Sequence, residues 1–239
     1  MKTVIIREMF LTLLYPKTCI LCGRLTGQRD VCQSCEKKLA WIPSPRCLCC
    51  GRPIASETEE YCEVCRGTTR NFDGGRGIFL YHSSIRKAVL DLKNHGRRQN
   101  ATALGDYMAA AIRPLLLVWQ PDVILPIPLD AVKYRKRGYN QAELLALQMG
   151  RRLKLPVRRD LLYKEGSKRE QKNLNRLERR KNLEKAFKVK PAKGKRLPSS
   201  VLLVDDIYTT GSTIEAAAGV LKAAGVKRVY FVTACMGGD

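Results

Sequence analysis

The stretch Val201-Leu-Leu-Val-Asp-Asp-Ile-Tyr-Thr-Thr-Gly-Ser-Thr213 predicts a turn from a buried strand into a helix. Four apolar residues form the strand, two carboxylates end it, and small hydroxyl residues with one glycine precede an alanine-rich helix. Such a corner gathers backbone N–H groups where phosphate binds, and nearby carboxylates can hold ribose hydroxyls or Mg²⁺. The stretch therefore predicts a pocket for a ribose 5-phosphate. The alternative is an ordinary strand–helix turn with a hydroxyl residue capping the helix.

This stretch resembles the phosphoribosyl pyrophosphate (PRPP) motif of type I phosphoribosyltransferases. The resemblance implies that Asp205 and Asp206 face the ribose hydroxyls and serve as the candidate catalytic residues. It also implies a loop that wraps the 5′-phosphate, formed by Thr209, Thr210, Gly211, Ser212 and Thr213. Mg²⁺ would accompany PRPP in such a site.

The composition predicts a globular protein with anionic partners. The chain has 239 residues, 45% of them apolar, and a formal net charge of +22. Residues 133–196 carry 23 Lys and Arg but only 6 Asp and Glu, so much of the excess lies in about a quarter of the chain. Nucleic acid, phosphorylated metabolites and anionic lipid are the partners that such a charge favours.

The first residues predict neither a signal peptide nor a membrane span. The apolar run 9–15 is too short for a span and lacks a small-residue cleavage site. We interpret it as a short amphipathic helix in which Phe10, Leu13 and Leu14 cover the cysteine-rich segment. A cytoplasmic location without stable membrane insertion is therefore expected.

Ten cysteines predict a metal-binding module over residues 1–70, followed by a second domain over 71–239. Two CxxC pairs supply the four thiolates of one tetrahedral zinc site, which leaves no open coordination position. The chain has four such pairs, so two structural Zn²⁺ ions are expected. A disulfide framework is the alternative and is more typical of secreted proteins. Both sequential and cross-braced pairing are possible, and Cys49 could compete as a ligand. The predicted ligands are Cys19, Cys22, Cys32, Cys35, Cys47, Cys50, Cys62 and Cys65.

The second domain alternates predicted strands and helices, which is typical of a parallel α/β sheet. A glycine-rich linker leads into a strand near residues 78–81, and helices are predicted at 84–95, at 104–119 with an interruption at Pro114, and at 142–153. Strands are predicted at 122–128 and 229–235, the latter with Cys235 as a buried, inert thiol. Ligands bind at the carboxyl ends of such strands.

Two further segments gain a role from the resemblance to type I phosphoribosyltransferases. A loop after an earlier strand binds pyrophosphate in that family, and Ile127, Pro128 and Leu129 match it. A flexible loop usually closes over the site, and residues 161–185 are the candidate for that lid. A solvated basic hairpin or helix is the alternative for 161–185.

Basic clusters beside aromatic residues predict binding of single-stranded nucleic acid, because cations follow the backbone while aromatic rings stack on bases. Tyr134 and Tyr139 flank one cluster, and Phe187 lies near the other. The alternative is that the rings pack on the sheet and the charges are only solvated. The clusters are Arg135, Lys136 and Arg137, and Arg179, Arg180 and Lys181.

Motifs along nearly the whole chain resemble the ComF family, competence-associated proteins that join a zinc module to a phosphoribosyltransferase-like domain. Besides the CxxC pairs and the 204–211 stretch, these are Leu92-Lys93-x-x-Gly96, Pro126-x-Pro128-Leu129, Arg137-Gly-Tyr-Asn-Gln141, Gln171-x-x-Leu174, Arg179-x-x-Asn182 and Ala186-Phe187. The resemblance implies a type I phosphoribosyltransferase-like, mostly parallel sheet flanked by helices. It implies binding of PRPP and single-stranded DNA during uptake of transforming DNA, with DNA-uptake proteins as partners. The alternative is an active phosphoribosyltransferase acting on an unidentified base.

Overall fold

The computed structural model describes residues 16–165, 186–190 and 196–237. The predicted amphipathic helix at 9–15, most of the candidate lid at 161–185, and the cluster Arg179, Arg180 and Lys181 lie outside these residues.

A four-stranded parallel sheet organises the larger part of the chain. Its strands are β3 (Gly74–Leu80), β8 (Arg228–Met236), β7 (Ser200–Tyr208) and β4 (Val123–Pro126), in that spatial order. The register places Pro126 beside Val204, and Asp205 beside Thr233. The near-continuous apolar run of β7 is therefore explained by its central position, where both faces are covered.

Helices cover both faces of this sheet. On one face, α3 (Asn100–Ile112) and α6 (Gln141–Leu153) bury residues such as Leu104 and Leu145. On the other face, α7 (Ser212–Ala223) buries Ala217 and Leu221. The helix α2 (Ser83–Asn94) precedes α3, and a 3₁₀ turn (Arg113–Leu115) connects α3 to α4 (Leu116–Trp119). The α/β fold class is thus the predicted one, with Pro114 in the 3₁₀ turn that interrupts the long helical stretch.

The cysteine-rich segment covers one edge of the sheet. It contains a small hairpin of β1 (Lys17–Thr18) and β2 (Leu25–Gly27), and the short helix α1 (Gln33–Glu36). Residues 40–42 then run antiparallel to β3: the Ile42 amide donates to the Ile78 carbonyl at 3.0 Å, and the Leu80 amide to the Ala40 carbonyl at 2.8 Å. Because this pairing satisfies backbone groups of an edge strand, the segment closes a side of the sheet that would otherwise be open.

Two local predictions differ from the structure. The glycines predicted as a linker belong to β3, where a Cβ on Gly75 would overlap the Phe231 ring; glycine is required there for close packing. Residues predicted as part of a loop form the helix α5 (Ala131–Arg137). The Asp130 carboxylate accepts from the Lys133 amide at 2.8 Å to cap it, and Gly138 ends it with a φ of 74°.

Among the described residues, one helical run, Asn100–Trp119, is long and apolar enough for a membrane span by length and composition. Its residues Leu104, Met108 and Ile112 are fully buried in the core. Packing against the sheet accounts for these three apolar residues, whereas Leu117 and Val118 near the end of the run are exposed.

Candidate functional site

The acidic pair lies at the carboxyl end of the central strand β7. Asp205 and Asp206 are both buried, and the Asp205 carboxylate accepts a hydrogen bond from the Asp206 amide at 2.9 Å. Burial, followed by the negative charge of Asp206, raises the pKa of the Asp205 carboxyl well above its usual range. Among the described residues, no donor hydrogen-bonds the Asp206 Oδ2 atom. Two crowded carboxyl groups, one with an oxygen that lacks a hydrogen-bond donor, form an arrangement that a cation stabilises.

Two lysines approach this acidic pair from outside the strand. Lys93, in the last turn of α2, places its Nζ atom 3.6 Å from Asp206 Oδ2. Lys164 lies in β5 (Leu162–Lys164), which pairs antiparallel with β6 (Phe187–Val189). Burial and the nearby Lys133 charge lower the pKa of Lys164, while Asp130 and Asp205 oppose this change. The sequence did not predict that either lysine lies near the acidic pair, although Lys93 belongs to the Leu92-Lys93-x-x-Gly96 motif and Lys164 to the candidate lid.

The predicted phosphate loop turns sharply between β7 and α7. Gly211 has a φ of 78°, a conformation that glycine adopts without strain, and a Cβ there would overlap the Tyr208 hydroxyl. The Thr210 and Ser212 hydroxyls lie 2.9 Å apart, and the Glu215 amide donates to the Gly211 carbonyl at 2.8 Å. Thr209 and Thr210 are exposed, whereas Ser212 and Thr213 are half-buried. The loop therefore presents hydroxyls and the first amides of α7 at the same edge as the acidic pair.

The predicted pyrophosphate loop lies beside the phosphate loop. The Ile127 amide donates to the Val204 carbonyl at 2.9 Å, and the Asn140 side-chain amide donates to the Ile127 carbonyl at 2.9 Å. Pro128 and Leu129 line a cavity of about 150 Å³. Because β4 and β7 are neighbouring parallel strands, the two loops leave the sheet side by side at its carboxyl end, where the alternation of strands and helices predicted them.

A larger cavity of about 510 Å³ opens beside Lys93. Lys133, Lys136 and Arg137 of α5 line it. Of the first predicted basic cluster, Lys136 and Arg137 therefore line this cavity, whereas Arg135 is exposed and is not among its lining residues.

The prediction that Tyr139 and Phe187 are available to stack on bases is wrong. Tyr139 is buried, its hydroxyl donates to the Leu92 carbonyl, and the Arg98 guanidinium lies 4.6 Å from its ring centroid. Phe187 is fully buried in the core. Tyr134 is half-exposed, so it alone of the three aromatic residues presents a free face.

The eight predicted cysteine ligands form two separate clusters, each with four sulfur atoms within 4.8 Å of one another. Pairing is sequential: Cys19, Cys22, Cys32 and Cys35 form the first cluster, and Cys47, Cys50, Cys62 and Cys65 the second. The Cys22–Cys32 and Cys50–Cys62 sulfur pairs are each 3.8 Å apart. Tetrahedral Zn–S bonds of about 2.3 Å place sulfurs about 3.8 Å apart, so both clusters fit structural zinc.

The remaining two cysteines lie outside these clusters. Cys49 is half-buried and its thiol contacts Cys65, but it is not one of the four grouped sulfurs. Cys235 is fully buried in β8, and burial raises the pKa of its thiol, which agrees with the predicted inert thiol.

Comparison with protein families connects these features. A phosphoribosyl transferase domain model matches residues 99–239, more than half of the chain. The chain belongs to the phosphoribosyl transferase domain family. A double zinc ribbon domain model matches residues 10–66 of this phosphoribosyl transferase family member, the segment that carries both four-cysteine clusters.

Curated relatives extend over most of the chain. Competence protein F of Haemophilus influenzae is 29% identical over 88% of this chain and 93% of its own length. Competence protein ComFC of Bacillus subtilis is 29% identical over 82% of this chain and 80% of its own. DNA utilization protein YhgH of Escherichia coli O157:H7 is 26% identical over 92% of this chain and 97% of its own length. The resemblance to the ComF family is thereby confirmed.

Among solved structures, purine phosphoribosyltransferase from Pyrococcus horikoshii Ot3 aligns with 57% of this chain and 84% of its own, with 18% identity and a TM-score of 0.33. The fold assignment depends on the domain model and on the sheet topology described above.

Proposed function

We propose that this protein binds PRPP with Mg²⁺ in a crevice at the carboxyl ends of β4 and β7 and single-stranded DNA along the adjoining basic surface, and acts in the cytoplasm with DNA-uptake proteins during competence. The names of the curated relatives support the competence role. The phosphoribosyl transferase domain supports binding of a ribose phosphate.

One observation supports the proposal most strongly. Asp205 and Asp206 lie at the carboxyl end of the central strand β7, directly before the loop that turns at Gly211 into α7. The acids would orient the ribose hydroxyls, and the loop from Thr209 to Thr213 would hold the 5′-phosphate through amides and hydroxyls. Lys93, which lies 3.6 Å from Asp206, and Lys164 would compensate the charge of the pyrophosphate group.

Mg²⁺ fits the donor set of this crevice. Carboxylate oxygens are hard ligands, and Asp206 Oδ2 is buried without a hydrogen-bond donor among the described residues. Asp205 and Asp206 would hold the cation and orient the ribose hydroxyls, and a bound Mg²⁺ would supply positive charge that offsets the charge of the pyrophosphate group.

The proposed DNA surface continues from the same crevice. Lys133 and Lys136 line the 510 Å³ cavity next to Lys93, and Tyr134 exposes about half of its side chain nearby. Lysines that follow a phosphate backbone and a ring that accepts a base are the elements of a single-strand site. The cluster Arg179, Arg180 and Lys181 belongs to the same proposal, although it lies outside the described residues.

Two binding measurements test the proposal. Calorimetry with PRPP and Mg²⁺ is expected to show binding that Asp205→Ala with Asp206→Ala abolishes while the circular dichroism spectrum is retained. Fluorescence anisotropy with labelled single-stranded DNA is expected to show a log–log salt slope of roughly −0.7 per phosphate contacted.

The DNA arm has a matched control. Lys133→Gln with Lys136→Gln should weaken DNA binding and make the salt slope less negative. Lys37→Gln with Lys38→Gln makes the same charge change on exposed lysines of the cysteine-rich segment and should have a smaller effect. A salt-independent affinity, or equal effects of both pairs, would reject the proposed surface.

Catalysis is the alternative function, and the small cavity beside Pro128 is where an acceptor base could enter. Two of the polar side chains that line it are already engaged, since Asn140 bonds the Ile127 carbonyl and Glu143 pairs with Arg159 at 2.8 Å. Release of pyrophosphate from PRPP with any member of a panel of purine and pyrimidine bases would establish the enzyme instead.

A further inference from the structure

The second zinc ribbon touches the predicted phosphate loop directly. Arg52 follows the knuckle Cys50-Gly51, and its guanidinium donates a hydrogen bond to the Thr209 carbonyl at 2.9 Å. The two residues are 157 positions apart in sequence. A charged donor on a backbone carbonyl fixes the peptide plane at the start of the loop.

A second contact joins the end of the cysteine-rich segment to the helix that follows the loop. Glu215, in the first turn of α7, is buried and accepts from both the backbone amide of Asn71 at 3.0 Å and its side-chain amide at 2.8 Å. Asn71 lies only six residues after the last cysteine ligand, Cys65. The phosphate loop is therefore held at both of its ends by the second ribbon and the residues just after it.

Tyr208 fills the space between this ribbon and the loop. Its ring stacks on Phe231 with centroids 4.9 Å apart, and its hydroxyl lies against Gly211, where a Cβ would overlap it. The second cluster packs in the same hydrophobic core as Tyr208 and α7. Because the packing is tight, a displacement of the second ribbon must also displace Tyr208, which contacts the loop at Gly211.

The first ribbon is built alike but makes different contacts. Arg24 follows Cys22-Gly23 as Arg52 follows Cys50-Gly51, and the knuckle bonds match: the Cys19 amide donates to the Arg24 carbonyl at 2.8 Å, and the Cys47 amide to the Arg52 carbonyl at 2.7 Å. However, the first cluster packs in the core on the side of α3 and α6, and Arg24 is exposed. The chain thus carries an internal control for the role of Arg52.

We propose that Arg52 is a positioning residue for the phosphate loop, and that zinc bound by the second four-cysteine cluster sets the affinity of the chain for ribose 5-phosphates. The part that concerns affinity rests on the proposed function. Zinc at the first cluster stabilises the first ribbon and does not change the affinity for ribose 5-phosphates.

The loop itself gives a readout that needs no ligand. Hydrogen–deuterium exchange of the 209–213 amides is expected to be faster in Arg52→Ala than in the wild type, because the anchoring bond to the Thr209 carbonyl is lost. Arg24→Ala should leave that exchange unchanged, and Arg52→Lys should restore part of the protection, since lysine also donates. Equal exchange in Arg52→Ala and the wild type would overturn the positioning role.

Calorimetry with ribose 5-phosphate tests the affinity. Arg52→Ala is expected to weaken binding about tenfold, the size of one charged hydrogen bond, and Arg24→Ala to leave it within twofold of the wild type. Cys62→Ser should reduce affinity at least as much, and Cys32→Ser should not, with zinc counted by elemental analysis in each variant. Equal losses from Cys62→Ser and Cys32→Ser would refute the specific role of the second cluster.

The two arms separate the possible failures. A wild type that does not bind ribose 5-phosphate removes the proposed function and the affinity claim, while the exchange data still decide whether Arg52 positions the loop. If Cys62→Ser does not fold, Arg52→Ala decides the positioning role because it leaves all four sulfur ligands in place, and ribose 5-phosphate affinity of the wild type before and after zinc chelation decides the role of zinc.

Discussion

Lys93 Nζ lies 3.6 Å from Asp206 Oδ2 and connects the last turn of α2 to the carboxyl end of the central strand. The Asp206 side chain is 5% exposed and that of Lys93 is 31% exposed, so the pair is only partly screened by water. The lysine charge also opposes the rise in the pKa of Asp205. A ligand cation at the acidic pair would share this carboxylate with Lys93.

Lys93→Met is therefore expected to lower stability and weaken PRPP binding together. Asp206 would lose its cation while remaining buried, which costs about 1–3 kcal/mol in the free energy of unfolding at neutral pH. Urea unfolding and calorimetry with PRPP and Mg²⁺ measure the two effects. Lys87→Met is the control, since Lys87 lies on the same helix and pairs with Asp91 at 2.8 Å. A Lys93 variant with unchanged PRPP affinity would exclude Lys93 from the site.

The raised pKa of Asp205 predicts an unusual dependence of stability on pH. Because burial and the Asp206 charge raise this pKa above the unfolded value of about 3.9, the folded state binds more protons than the unfolded state between the two pKa values. Stability contributed by this residue is therefore complete below the unfolded pKa and falls as pH rises toward the folded pKa. Asp205→Asn removes the ionisation, so its stability advantage over the wild type should grow with pH.

Thermal unfolding of both proteins across pH 5 to 8 checks this expectation, in the range where native proteins are usually most stable. The same variant should lose PRPP affinity, because asparagine cannot neutralise Mg²⁺. In the wild type, Mg²⁺-dependent affinity should increase with pH, since cation binding must displace the proton. Stability curves of the wild type and the variant that run parallel would show that Asp205 is ionised in the folded state throughout this range, which would contradict a strongly raised pKa.

The phosphate corner could be predicted from the sequence because its determinants are local. A buried strand, two acids and a glycine that must adopt positive φ occupy consecutive positions, so one stretch specifies them. The two four-cysteine clusters were predictable for the same reason, since CxxC spacing fixes the ligands of each knuckle. Sequential pairing was not, because both arrangements satisfy four-coordinate zinc.

Contacts between distant segments were not predictable from local pattern. Lys93 pairs with Asp206 from α2, and the charge of Asp205 acts on Lys164 in β5; the local sequence around these lysines predicts neither interaction. Arg52 and Thr209 are 157 positions apart in sequence and meet through the packing of the second ribbon on the sheet. For Tyr139 the local pattern led to a wrong prediction. Its position beside a basic run suggested a ring that stacks on bases, but the ring is buried in the core.

Removal of zinc should increase the exposure of Trp41, which is 45% exposed in the folded protein, while leaving the sheet intact. Trp41 packs on Phe79 with ring centroids 4.6 Å apart and depends on the ribbon for its position, whereas Trp119 stacks on Tyr230 in the core. Metal binding supplies on the order of 10 kcal/mol of folding free energy per site. Chelation is therefore expected to shift the emission of a Trp119→Phe protein to longer wavelength and to leave that of Trp41→Phe nearly unchanged. Zinc loss without any change at Trp41 would contradict a metal-dependent ribbon.

The contact between β3 and β8 predicts that alanine substitution lowers stability much more at Gly75 than at the adjacent Gly74. A Cβ at Gly75 would overlap the Phe231 ring, which is itself fixed between Tyr208 and Phe72. A Cβ at Gly74 would lie 3.3 Å from the Tyr230 ring, a contact that a small shift relieves.

Gly75→Ala should accordingly cost about 1–3 kcal/mol or more, the usual cost of overpacking. Gly74→Ala should stay within about 1 kcal/mol of the wild type, because reduced entropy of the unfolded chain offsets a tight contact. Urea unfolding followed by circular dichroism compares them. Because Phe231 stacks on Tyr208, which contacts the phosphate loop, Gly75→Ala should also weaken binding of ribose 5-phosphate. Equal stability of the two variants would show that the Phe231 ring can move aside.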